Sequence, residues 1–113
     1  MGYSVSLFNM AENKDQGMIY NNVLLTVKNP EDVATVRELL TEQARLSIEE
    51  PGCERFEVYH SQTDRQQFML VEQWQTAADL TQHKEAKAFT ELYIPKVIPL
   101  VERVPHLSDL VWP

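Results

Sequence analysis

The sequence predicts an α+β domain with a four-stranded antiparallel sheet and its helices packed on one face. β-Branched and aromatic runs of strand length occupy residues 18–28, 53–60 and 67–74, and helical periodicity follows the first and third of them. A short apolar run lies near the C-terminus. The order strand, helix, strand, strand, helix, strand is the split βαβ plan of ferredoxin-like folds. A chain of 113 residues suits one such domain, expected over residues 18–113.

Residues 1–17 mix Ser4, Ser6, Asn9, Glu12, Asn13, Lys14 and Asp15 with a few apolar side chains and read as an N-terminal extension. Ile19, Val23, Leu24, Leu25 and Val27 then make the first strand. Asn29-Pro30-Glu31-Asp32 is a helix start: a side-chain acceptor, a ring suited to the first turn, and two acids at the positive end of the dipole. Val33, Val36, Leu40 and Ala44 recur at helical spacing until Pro51-Gly52 stops the helix. Phe56 and Val58 alternate with Glu54, Arg55 and Glu57 in a second strand. Phe68, Leu70, Glu72 and Trp74 share one face of a third, which completes a hairpin. Thr76 to Thr90 reads as helix and carries Leu80 and His83 on successive turns. Pro95 and Pro99 split the apolar stretch that follows, so two helical pieces are expected, and Leu107 to Trp112 forms the last strand. Helices on one face leave a row of apolar side chains on the other. One copy cannot shield that row, so the pattern predicts a homodimer.

A net charge of −7 and a pI near 4.8 exclude a nucleic-acid partner, which would need clustered Lys and Arg. Cys53 is the single cysteine, so no intrachain disulfide forms. His60, His83 and His106 have no metal-ligand spacing, and no Gly-rich phosphate loop is present; no metal or cofactor is expected. No apolar segment approaches the about 20 residues of a membrane span, and residues 1–17 lack the pattern of a secretory signal, so no membrane partner and a cytoplasmic location are expected.

Pro51-Gly52-Cys53-Glu54-Arg55-Phe56-Glu57-Val58, Phe68-Met69-Leu70-Val71-Glu72-Gln73-Trp74 and Leu80-Thr81-Gln82-His83 together resemble the antibiotic biosynthesis monooxygenase family. That family has a Pro-Gly turn before strand two, a strand ending Glu-x-Trp and a histidine in the next helix. The likeness spans residues 18–104. It implies a dimeric α+β barrel with a pocket between sheet and helices in each subunit. Members include cofactor-free oxygenases of polycyclic phenols and quinols, haem-degrading enzymes, and an isomerase of a phosphorylated sugar. Fold alone does not choose among them.

His83 is the candidate base, because a helix-borne imidazole can take a phenolic proton near neutral pH; a structural histidine bonded to a carboxylate is the alternative. Trp74 offers a ring for stacking or for core packing. The resemblance links an asparagine of the first strand to positioning substrate or oxygen. Asn21 and Asn22 point to opposite faces, and Asn22 is the one expected in the pocket. Glu72 is either a base, a partner that fixes the His83 tautomer, or, as favoured here, the salt-bridge partner of Arg55 across the hairpin. Tyr59, Phe89 and Tyr93 are pocket-wall candidates. The haem-degrading branch has its histidine ligand where Tyr93 stands, which sets haem degradation aside.

These residues fit a monooxygenase that oxidises a small phenol or quinol with O2, with His83 and Asn22 at the reacting centre. Two other readings share the fold: an isomerase of a small phosphorylated metabolite, with Lys84 or Lys87 holding the phosphate, and a non-catalytic dimeric ligand-binding module.

Overall fold

β1 (Ile19–Val27), α1 (Val33–Ser47), β2 (Cys53–His60), β3 (Gln67–Trp74), α2 (Ala77–His83), α3 (Ala88–Val97) and β4 (Val101–Ser108) follow one another in the computed structural model. It describes residues 17–113; apart from Gly17, the expected N-terminal extension lies outside them. The antiparallel sheet has the order β2-β3-β1-β4, as the split βαβ plan requires. No helix among the described residues is long and apolar enough to cross a membrane.

Strand parity decides what each face carries. Val23, Leu25 and Val27 of β1 are buried beneath the helices with Phe68, Leu70 and Trp74 of β3, and Val36 and Leu40 of α1 close the core above them. The opposite parity gives the open face. There Leu24 is paired with Met69 on one side and Val104 on the other, and Tyr59 is paired with Met69. Met69, Tyr59 and Val104 keep 43%, 45% and 50% exposure, which is a costly row of apolar surface for one subunit to present to water.

Three boundaries differ from expectation. The last strand is Val101–Ser108 rather than Leu107 to Trp112, and Val111 and Trp112 are exposed beyond it. Pro105 masks this strand in the sequence, yet β4 lies at the sheet edge, where a missing ladder donor is tolerated. The predicted helix over residues 76–90 instead breaks after His83, and the second piece, α3, is π-helical with Pro95 inside it. A wider turn accommodates a ring that lacks an N–H and crowds the preceding turn. Finally, Pro30–Asp32 forms a separate 3-10 turn ahead of α1, and Asn29 makes no side-chain cap.

Candidate active site

The Pro51-Gly52 turn and the start of α2 are locked together, and this lock builds the site. Gly52 has φ +79, and a β-carbon there would stand 2.1 Å from Asp79 Cγ. Only glycine permits both that backbone and that approach. Thr76 caps α2 by accepting from the Asp79 amide, and the Gln75 amide donates to Gly52 O at 2.8 Å. The residue before this turn is Glu50, and one helix length from Thr76 is His83. Their side chains meet, with His83 Nδ1 2.7 Å from Glu50 Oε1. A carboxylate only accepts, so Nδ1 is the donor in this contact, and Nε2 has no hydrogen-bond partner among the described residues.

The imidazole is 3% exposed and sits in an aromatic enclosure. Its centroid lies 4.5 Å from Trp74, 5.8 Å from Phe56 and 5.5 Å from Phe89. Phe56 reaches this position because β2 slips register between Cys53 and Arg55. That bulge lets Cys53, opposite Trp74, and Phe56, opposite Glu72, both face the helices. An open cleft of about 290 Å³ adjoins His83, and Glu50, Asp79 and Glu85 lie on its wall.

Behind Trp74 is a buried polar group. Trp74 Nε1 donates to Glu72 Oε1 at 3.0 Å, and Asn21 stands directly across the ladder from Glu72, itself 5% exposed. Burial raises the Glu72 carboxyl above its ordinary value of 4.5, against the Trp74 hydrogen bond, the His83 charge, the Asn21 amide and the Arg103 charge, which pull it down. Arg103 enters from β4 on the same face and donates from Nε to Tyr93 Oη at 2.8 Å. Burial likewise raises the Tyr93 phenol, with the Arg103 charge opposing it.

A pH prediction follows for Glu72. A carboxyl whose pKa is raised on folding favours the folded state below the unfolded pKa, and that contribution is lost as pH climbs through the folded value. Glu72→Gln keeps an acceptor for Trp74 Nε1 and removes the buried charge. The variant should therefore gain thermal stability on wild type as pH rises from about 4.5 to neutral. A melting-temperature difference that stays flat across that range would contradict it.

Several expected site residues stand elsewhere. Asn22 is on the open face, where its amide donates to Ser108 Oγ at 3.2 Å, so the strand-one asparagine beneath the helices is Asn21. Parity with Val23, Leu25 and Val27 carried that signal, and the intervening Leu24 obscured it. Arg55 pairs with Glu57 at 2.8 Å and not with Glu72, because it lies opposite Gln73 on the other face. Glu72 fixes Trp74 rather than His83. Tyr59 is on the open face and lines no space beneath the helices. His83, Trp74, Phe89 and Tyr93 do come together. Glu50, Phe56 and Arg103 were not foreseen; only tertiary contact marks them.

The part-buried imidazole-carboxylate pair and the aromatic wall lie within the stretch that a family model matches. The antibiotic biosynthesis monooxygenase model covers residues 18–93. This chain belongs to that family. No curated protein matches the chain in sequence. A Bacteroides thetaiotaomicron protein described as a possible oxidoreductase is 29% identical with a TM-score of 0.77, over 82% of this chain and 97% of its own. A Nitrosomonas europaea protein whose name places it among the antibiotic biosynthesis monooxygenases is 24% identical, TM-score 0.75, over 87% of this chain and 95% of its own. A conserved Methanosarcina mazei protein is 20% identical, TM-score 0.72, over 87% and 99%. The latter two likenesses establish the fold; the family supports a monooxygenase-like role.

Proposed function

We propose that this member of the antibiotic biosynthesis monooxygenases oxidises a small phenol or quinol with O2 and no cofactor, as a homodimer. The observation that supports this reading most is the His83 imidazole, held by Glu50 through Nδ1 inside an aromatic enclosure. Nε2 takes the ring hydroxyl proton, directly or through one water. The resulting electron-rich anion gives one electron to dioxygen. Recombination of the radical pair forms a carbon–oxygen bond, and loss of water leaves the quinone. Trp74, fixed by Glu72, backs the imidazole so that it keeps one orientation, while Phe89 and Phe56 exclude water around it. Asn21, in place of Asn22, supplies the amide that orients substrate or oxygen.

The phosphorylated-substrate reading is weaker on this geometry. Lys84 and Lys87 are exposed, and the wall beside His83 carries Glu50, Asp79 and Glu85, which repel a phosphoryl group. The deciding experiment is oxygen uptake by metal-free protein on a panel of quinols, with wild type and His83→Ala in parallel and products examined with and without air. Conversion that proceeds equally under anaerobic conditions rules out the oxygenase.

A second copy seated on Leu24, Met69, Tyr59 and Val104 accounts for the open sheet face. Leu24→Asp with Met69→Asp should convert a dimer to a folded monomer in sedimentation analysis. An unchanged mass would place the interface elsewhere.

A further inference from the structure

α2 ends at His83, and a hydrogen-bonded turn carries the chain on to α3. In that turn the Glu85 amide donates to Gln82 O at 3.0 Å and the Ala86 amide to His83 O at 3.1 Å. The turn and the Glu50 end of the α1 connection enclose the cleft of about 290 Å³, whose polar wall is Glu50, Asp79, Gln82, His83 and Glu85. His83 is only 3% exposed, yet it lines this space. Among the described residues the unpartnered side-chain atoms sealed from solvent are Gln43 Oε1 and Ser47 Oγ, so the unpartnered Nε2 of His83 is not sealed. The cleft that the ring lines gives a small molecule access to it.

The charges around that opening have one sign. Glu50, Asp79 and Glu85 are on the wall, and no lysine or arginine is. Two of these carboxylates are committed: Glu50 holds His83 Nδ1, and Asp79 Oδ2 accepts from Thr76 Oγ1 at 2.9 Å. Glu85 is exposed and has no side-chain hydrogen bond or ion pair among the described residues; Lys84 and Lys87 flank it in the chain but lie off the wall. Removing a phenolic proton at His83 creates an anion in this field, which three carboxylates oppose. A positive group on the same substrate offsets that opposition, because it cancels the new charge and faces the carboxylates at short range.

We propose that the cleft selects a phenol or quinol carrying a cationic substituent, an ammonium on a short side chain, and that Glu85 is the residue that determines this specificity. The ring hydroxyl lies at His83 and the ammonium donates to the Glu85 carboxylate at the exposed side of the cleft. The phenolic class rests on the proposed function, whereas the role of Glu85 is read by binding and not by turnover.

Titration calorimetry without oxygen compares three catechols of one ring size: dopamine, the neutral 4-ethylcatechol and the anionic 3,4-dihydroxyphenylacetate. Wild type should bind dopamine about three- to fivefold more tightly than 4-ethylcatechol, the scale of one exposed ion pair, and the anion most weakly. Added salt should shrink the preference. Glu85→Gln should bring dopamine to the level of 4-ethylcatechol. Glu31→Gln removes an equal charge ahead of α1, a helix length from Glu50, and should leave the wild-type ratio in place. A wild-type ratio near one, binding of no catechol, or a ratio unmoved by Glu85→Gln overturns the proposal. So does an equal fall in Glu31→Gln, which would assign the preference to the net charge of −7 rather than to the cleft. If the preference behaves as expected and no quinol consumes oxygen, the selectivity stands and the oxygenase falls; oxygen uptake on neutral quinols with a flat ratio gives the reverse.

Discussion

His83→Ala should lower oxygen uptake on any quinol the wild-type protein accepts by about 10²–10⁴-fold, the range for removing a positioned general base. The loss should fall on kcat, because Trp74, Phe56 and Phe89 remain to hold the ring. Deleting the imidazole also strands Glu50, whose side chain is 15% exposed, so folding is checked alongside by circular dichroism. Glu50→Gln separates base from scaffold: it keeps an acceptor for Nδ1 and removes the charge that favours the imidazolium formed on proton transfer. A decrease of about 10- to 100-fold, the usual scale for an orienting partner, is expected there. Wild-type rates in His83→Ala would remove the imidazole from the chemistry and leave it as a staple between α2 and the turn after α1.

Gly52→Ala should be the most damaging change outside the core. The β-carbon must adopt φ +79 and also overlap Asp79, whose Cγ would be 2.1 Å away. The left-handed backbone costs an ordinary residue about 1–2 kcal/mol, and moving Asp79 disturbs the Thr76 cap, worth about 1 kcal/mol. Together these amount to about 2–3 kcal/mol, or a melting temperature lower by about 10–20 °C for a domain of this size. The same displacement draws Glu50 away from His83, so activity should fall even at temperatures where the variant is folded. Asp79→Gly added to Gly52→Ala should recover the steric part only; alanine at 79 would not, since the β-carbon it keeps stands 2.6 Å from the new one. A melting shift of less than about 2 °C in the single variant would show that the turn and α2 are not clamped as described.

Much of the architecture was legible in the residues because it depends on local periodicity. Period-two runs at β1 and β3 and the 3.6-residue stripe of α1 report burial directly, whatever they pack against. His83 and Trp74 stood out through the family resemblance, with Phe89 and Tyr93 as pocket-wall candidates; a strand end and the helices after it bring the four together along neighbouring stretches of chain. Elements that violate the local rule were misplaced. Pro105 hid β4, and the break after His83 precedes the prolines that were expected to cause it.

The amino-acid sequence by itself determined the split βαβ order and the apolar row on the sheet face away from the helices, since each follows from spacing along one strand or helix, while the family resemblance pointed to the imidazole and its neighbouring indole. Tertiary structure alone decided which asparagine lies beneath the helices and that Glu50 and not Glu72 holds His83. Those pairings join residues far apart in the chain, and their geometry depends on a bulge, a glycine turn and the packing of separate elements, none of which leaves a periodic trace.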